Sequence, residues 1–251
     1  MNRIVYVLIL AFLASYSTVT KSVENGSLFS VAFDTVTLLD QSRNREIPIA
    51  IYRPQTKHPQ LVLISHGYNQ NEGTPYLGYS DLANFLASKG YFVVSIQHEL
   101  PTDSLIPDKG IPQIVRRPFW ERGTENILFV INELKRSNSD LDFKHITLIG
   151  HSNGGDMTAL FPTKYPGIVY KIITFDNRRM VLPRTANPRV YSLRSSDQSA
   201  DTGVLPTETE QKKYGITIIS LPNTIHNNMC DNATDKQREE IRDYVLTFLN
   251  D

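Results

Sequence analysis

The chain has 251 residues, of which 40% are hydrophobic and 21% are charged, so it can bury a sizeable core and is not a disordered sequence. Its 26 basic and 26 acidic residues give no net charge, which argues against a nucleic-acid partner and a polybasic membrane contact. The single cysteine, Cys230, excludes an intrachain disulfide and a cysteine-rich zinc site.

The N-terminus has the pattern of a secretory signal peptide, which we predict over residues 1–17. Arg3 supplies a basic start, Ile4–Ala14 is an apolar run, and Ser15 and Ser17 are small residues suited to cleavage. The alternative is an uncleaved membrane anchor, although the run is short for a bilayer span. We therefore expect residues 18–251 to form one exported domain, periplasmic or extracellular, with no stable membrane anchor after cleavage.

Strand-like and helix-like segments alternate along the rest of the chain. Two half-exposed strands are predicted over Leu28–Leu39 and Ile47–Tyr52. Continuous apolar runs predict buried strands at Gln60–Ser65, Tyr91–Gln97, His145–Ile149, Val169–Phe175, Arg189–Leu193 and Ile216–Leu221. Helices are predicted at Ser80–Ser88, Trp120–Lys135, Met157–Phe161, Glu208–Tyr214 and Asp235–Leu249.

This alternation predicts an α/β fold with a mostly parallel sheet of about eight strands and helices on both faces. Ligands bind beyond the carboxyl ends of the strands in such sheets. Ser80 is the expected N-cap of its helix. The proline-rich loop from Glu99 to about Phe119 is expected to overhang the site.

A G-x-S-x-G motif, Gly150 to Gly154, lies between a predicted strand and a predicted helix. This setting is typical of a nucleophile elbow, in which Ser152 is the nucleophile and the N–H of Asn153 stabilises an oxyanion. A chance glycine-rich turn is the alternative. The flanking strand and helix favour the catalytic interpretation.

The loop after an earlier strand is expected to supply the second oxyanion donor. Ser65 to Tyr68 follows such a strand, and we predict that the Tyr68 N–H is this donor. His66, Gly67 and His98 are predicted to line the substrate side, with a purely structural role as the alternative for His98.

Chain order identifies the base, because the order on this architecture is serine, acid, histidine. His226 is the one histidine that follows Ser152, and it comes after the last predicted strand. We interpret His145 and His151 as packing residues. The full set of histidines is His58, His66, His98, His145, His151 and His226.

The residues leave the acid open among Asp176, Asp197 and Asp201, which all lie after strands between the serine and the histidine. Each aspartate also has other possible roles, namely helix capping, turn formation or pairing with an arginine. Spacing alone does not choose among the three.

At these motifs the chain resembles the α/β-hydrolase fold family, and more narrowly it is similar to the platelet-activating-factor acetylhydrolase and dienelactone-hydrolase-like branch. The resemblance implies that fold and favours Asp176 as the acid. The segment from Asp176 to Pro188 is too short for a large cap domain, and the expected chemistry needs no metal or other cofactor. Ser195 to Asp197 also looks like the acid segment of cutinase-like and dienelactone-type relatives. The matching segments are Ser65 to Gly67, Leu86 to Tyr91, Gln97-His98, Gly150 to Gly155, Phe175-Asp176 with Pro183, and Ile225-His226.

These residues together predict a serine carboxylic-ester hydrolase that acts on a small-molecule ester with a short acyl group or of modest size. A serine peptidase or amidase, an acyltransferase and a catalytically silent binding scaffold are the alternatives. Arg116 and Arg117 in the long loop are either contacts for an anionic substrate or ordinary surface arginines. The sequence does not determine the oligomeric state.

Overall fold

The structure of the protein, a computed structural model, describes residues 28–251. The predicted signal peptide over residues 1–17 lies outside these residues. Within residues 28–251, no helix has both the length and the apolar character that crossing a bilayer requires.

Eight strands of the described chain form one sheet. The strands are β1 (Val31–Asp40), β2 (Arg45–Pro54), β3 (Gln60–Ser65), β4 (Phe92–Ile96), β5 (Asp142–His151), β6 (Lys171–Phe175), β7 (Arg189–Arg194) and β8 (Thr217–Ser220). Their order in the sheet is β1-β2-β4-β3-β5-β6-β7-β8. The pairs β1–β2 and β2–β4 are antiparallel, and every other pair is parallel. The predicted mostly parallel sheet is therefore confirmed.

Helices cover both faces of this sheet, as predicted. The helices are α1 (Ser80–Ser88), α2 (Pro112–Val115), α3 (Arg117–Ser137), α4 (Asn153–Lys164), α5 (Glu208–Tyr214) and α6 (Asp235–Asn250). Ile127 of α3 and Phe161 of α4 are buried in the apolar layer on one face. Leu86 of α1 and Val245 of α6 are buried in the layer on the other face. Burial of these apolar stripes stabilises the three-layer arrangement.

Two helices are longer than their patterns predict. Helix α3 begins at Arg117, inside the segment predicted to be loop, because Pro118 lacks an N–H and fits a first turn, where no intrahelical acceptor is available. Helix α4 begins at Asn153 and continues past Pro162 to Lys164. The start of α4 directly after Ser152 decides where the helix dipole points in the site.

The prediction that Ser80 caps α1 with its own side chain is wrong, because Ser80 is the first residue of the helix and its hydroxyl makes no cap hydrogen bond. The carboxylate of Asp231 accepts the N–H groups of Ser80 (2.8 Å) and Asp81 (3.2 Å) instead. A carboxylate at a helix N-terminus has the favourable charge for this position. The cap therefore ties α1 to the loop that follows His226.

Candidate active site

The sequence-predicted site residues meet at the carboxyl edge of the parallel strands. Tyr68 follows β3, Ser152 follows β5, Asp176 follows β6, Asp197 follows β7 and His226 follows β8. Because β3 and β5 to β8 run parallel, their carboxyl ends open onto one edge of the sheet.

Ser152 occupies a sharp turn between β5 and α4, with φ +53° and ψ −115°. A positive φ is uncommon for a residue with a side chain and marks a constrained backbone. The Ser152 N–H donates to the carbonyl of Phe175 at 2.8 Å. A Cβ on Gly150 would lie 2.2 Å from the carbonyl oxygen of Gly154, and one on Gly154 would lie 2.3 Å from that of Ser65. Both glycines are therefore needed for this turn to form.

The Ser152 hydroxyl is the first group in a chain of three hydrogen-bonded side chains. Its Oγ lies 3.0 Å from Nε2 of His226, and Nδ1 of the same ring lies 2.9 Å from Oδ2 of Asp176. Because an ionised carboxylate only accepts hydrogen bonds, Nδ1 carries the proton and Nε2 is left to accept from the serine. This tautomer lets His226 remove the serine proton.

Asp176 is fully buried and has hydrogen-bond donors or a positive charge beside both oxygens. Burial raises its pKa, but the hydrogen bond from His226, the charge of Arg194 and the Ser195 N–H together hold the pKa below its usual value. Arg194 lies 3.3 Å from Oδ1, and the Ser195 N–H donates to Oδ1 at 2.8 Å. Asp176 is therefore ionised at neutral pH, as a partner for an imidazolium must be.

The other two aspartates make different contacts. Oδ1 of Asp197 accepts the backbone N–H of His226 at 2.7 Å, so Asp197 holds the main chain of the base and not its ring. Asp201 accepts from Gln113 at 3.2 Å and its N–H donates to the carbonyl of Arg178. Among the three candidates, Asp176 is the one whose carboxylate reaches the imidazole.

Two backbone N–H groups beside Ser152 have no acceptor among the described residues. They belong to Asn153, at the N-terminus of α4, and to Tyr68. A Cβ on Gly67 would lie 3.4 Å from Cβ of Ser152, so the Tyr68 loop packs directly against the elbow. The dipole of α4 adds positive potential at the same point. This geometry suits the predicted oxyanion donors.

His66 and His98 do not line the substrate side. Both are buried, with 0% and 1% of their surface exposed, and burial lowers the pKa of His66 to about 4. His66 bonds the carbonyl of Gly67 and accepts the His98 N–H, while Nε2 of His98 bonds the hydroxyl of Ser65. Instead of the predicted contact with substrate, both rings have buried contacts with the Tyr68 loop and the end of β3.

His151 packs against the predicted base, which extends the packing role that its position suggests. Its ring centroid lies 4.7 Å from that of His226. Its Nδ1 lies 2.7 Å from the hydroxyl of Tyr79, which in turn accepts the Gly67 N–H at 3.1 Å. Burial lowers the pKa of His151 to about 3, so a neutral ring faces the predicted base.

The loop after β4 lies against the site, as expected. The hydroxyl of Tyr68 accepts the Ile106 N–H at 3.1 Å, and Gln113 of α2 reaches the carbonyl of Arg179 at 3.3 Å. Arg117 pairs with Glu121 at 2.8 Å within α3, whereas Arg116 lies 3.8 Å from an exposed aspartate, Asp108. The ion pair of Arg117 favours the surface interpretation for that residue.

Sequence reasoning missed Asp156, which lies one helical turn after Ser152. Its Oδ1 accepts the N–H groups of Arg178, Arg179 and Met180 at 3.2, 3.0 and 2.8 Å. Burial raises its pKa to about 6 despite these donors. The available signal was a carboxylate in the first turn of the helix, directly after two glycines. Asp156 holds the loop that follows Asp176 against α4.

No group of three or more histidine, cysteine, aspartate or glutamate residues suited to holding a metal ion occurs within residues 28–251.

Comparison with solved structures identifies the fold. The chain is similar to an esterase designated Est22 (TM-score 0.62, 12% identity, 88% of this chain and 80% of that one). It is also similar to a sugar hydrolase from Lactococcus lactis (0.64, 12%, 87% and 97%) and to a candidate dienelactone hydrolase from Klebsiella pneumoniae (0.59, 14%, 87% and 99%). No protein-family model and no curated protein sequence matches the chain. The chain has the α/β-hydrolase fold, and residues 176–188 between β6 and β7 contain no helix or strand of a cap.

Gly154→Ala should lower the thermal unfolding midpoint by about 5 °C or more, because the added methyl group overlaps backbone atoms that cannot rotate away. Gly215→Ala is the matched control: its Cβ meets no atom within 4 Å, and its φ of +66° supplies backbone strain alone. We expect a fall of about 2–4 °C for the control. Equal decreases in the two variants, measured by circular dichroism, would contradict the steric explanation.

Proposed function

We propose that the protein is a serine hydrolase that cleaves carboxylic esters through a covalent acyl-enzyme. The main support is the series of hydrogen-bonded side chains Ser152, His226 and Asp176. The imidazole of His226 lies 3.0 Å from the serine hydroxyl and 2.9 Å from the carboxylate of Asp176. The free N–H groups of Asn153 and Tyr68 beside the serine add support. The names of the similar solved structures, an esterase and a sugar hydrolase among them, agree with hydrolysis.

In the proposed reaction, His226 takes the hydroxyl proton of Ser152 as Oγ attacks the ester carbonyl carbon. The carbonyl oxygen becomes an oxyanion, which the N–H groups of Asn153 and Tyr68 stabilise. The imidazolium returns its proton to the departing alcohol, and the acyl group stays on Ser152. A water molecule, deprotonated by the same histidine, then releases the acid. Asp176 stabilises the imidazolium in both steps.

Ser152→Ala and His226→Ala should each lower the rate of p-nitrophenyl acetate hydrolysis by about 10⁴-fold or more, because the first lacks the nucleophile and the second lacks the base. The release of p-nitrophenol is measured on the purified mature protein. Unchanged thermal unfolding midpoints are the control for folding. Hydrolysis that persists at the wild-type rate in either variant would rule out the proposed function.

The two aspartates near His226 should respond differently to the same substitution. Asp176→Asn should lower kcat by about 10⁴-fold, because an amide favours the wrong tautomer of His226. Asp197→Asn should lower it by less than about tenfold, since an amide oxygen still accepts the His226 N–H. Both are measured with p-nitrophenyl acetate. A larger loss in the Asp197 variant would show that the acid is misassigned.

The proposal includes a substrate with a short acyl group or of modest size. It is supported by the short connection between β6 and β7, because residues 176–188 carry no helix that would act as an apolar lid. We expect kcat/KM to fall from p-nitrophenyl acetate and butyrate to the decanoate, since nothing in that connection shields a long chain from water. Faster hydrolysis of the decanoate would contradict this part of the proposal.

A further inference from the structure

The side chain of Asn153 forms hydrogen bonds with two buried residues, Trp120 and Glu99. Nε1 of Trp120 donates to Oδ1 of Asn153 at 2.9 Å. Because an indole N–H can only donate, this contact fixes the orientation of the amide. The amide nitrogen then donates to Oε1 of Glu99 at 3.0 Å. Asn153, Trp120 and Glu99 are at most 4% exposed, so water does not compete for these bonds.

The residue before Glu99 is linked to the other predicted donor through the ring of His66. The His98 N–H donates to Nε2 of His66 at 3.0 Å, and Nδ1 of His66 donates to the carbonyl of Gly67 at 2.7 Å. That carbonyl belongs to the peptide group whose N–H is the predicted Tyr68 donor. One short segment, His98-Glu99, thus holds Asn153 on one side and the Tyr68 peptide on the other.

We propose that Glu99 is a positioning residue of the oxyanion hole, which acts by fixing the Asn153 side chain and thereby the separation of the two backbone donors. This inference rests on the proposed function. Glu99 belongs to no predicted triad or substrate contact, and it lies 54 residues from Asn153 in sequence. Oxyanion stabilisation depends steeply on donor placement, so a small shift of Asn153 lowers the rate without preventing substrate binding.

The surroundings of Glu99 make its ionisation observable. The charged and titratable groups around it are Arg45, Arg122, Asp103, His66 and His98. Burial raises the pKa of Glu99 to about 7. Burial lowers the pKa of both histidines, and the arginine partners of Asp103 outweigh its burial and lower its pKa. Glu99 is therefore the member of this cluster expected to titrate near neutral pH.

Trp120 gives a direct readout, because it is the only tryptophan of the chain and its indole N–H bonds Asn153. The indole ¹H–¹⁵N resonance should shift, and its hydrogen exchange should become faster, in Glu99→Ala. Glu99→Gln keeps an acceptor at Oε1 and should retain the wild-type resonance at low pH. In the wild type the resonance should move with an inflection near pH 7, and in the Gln variant this inflection should be absent. His226→Ala should keep it, which separates Glu99 from the base.

Kinetics with p-nitrophenyl acetate test the effect on the reaction. Glu99→Ala should lower kcat by about 10- to 100-fold, below the loss for a deleted oxyanion donor, with KM changed by less than about threefold. Glu99→Gln should stay within about threefold of wild type. The inhibition constant of a trifluoromethyl ketone, whose adduct carries an oxyanion, should rise in parallel with the fall in kcat. Glu239→Ala, at an exposed position of α6, is the matched control and should leave kcat unchanged.

The outcomes separate this inference from the proposed function. A Glu99→Ala variant with the wild-type indole resonance and kcat would overturn the inference alone. Equal losses in the Ala and Gln variants would also overturn it, because they would indicate a general packing role. If the Ala variant does not fold, the presence or absence of the inflection in wild type and the Gln variant decides. Lack of hydrolysis by the wild type would contradict the proposed function, while the indole resonance would still show whether Glu99 holds Asn153.

Discussion

The close approach of α4 to the end of β3 is the constraint on which the rest of the site depends. With only a hydrogen at Gly154, the helix backbone lies against the carbonyls of Ser65 and His66, within a distance that no side chain permits. This contact forces Ser152 into its positive-φ turn and brings the Tyr68 loop beside it. The two predicted oxyanion donors are thus placed by backbone packing.

The charges around this turn favour the proposed transfer of a proton from Ser152 to His226. Asp176 is held ionised by Arg194, Ser195 and His226. The buried ring of His151, whose centroid lies 4.7 Å from that of His226, has a pKa of about 3 and stays neutral. A neutral neighbour does not oppose the positive charge that His226 gains in the proposed reaction, whereas a second imidazolium would.

Carboxylates also organise the loops that carry the site, by accepting backbone N–H groups. Asp156 holds the segment after Asp176 through three such bonds. Asp197 holds the main chain of His226, and Asp231 caps α1 from the following loop. The loops are thereby fixed without long secondary structure of their own, which keeps the distances of the hydrogen-bonded series short.

Local patterns in the sequence determined the mostly parallel sheet, the helices on both faces and the turn at Ser152, because periodicity and glycine spacing are properties of neighbouring residues. The choice of His226 came from the chain order expected on this architecture, since it is the one histidine after Ser152. Only the tertiary structure decided which aspartate meets the histidine, since Asp176 and His226 are 50 residues apart and all three candidates follow strands. The same holds for the burial of His66 and His98, which their place after strands did not reveal. It also holds for the cap of Ser80 by Asp231 and for the bond between Glu99 and Asn153. Each of these depends on a contact between distant segments, which has no signature in the residues on either side.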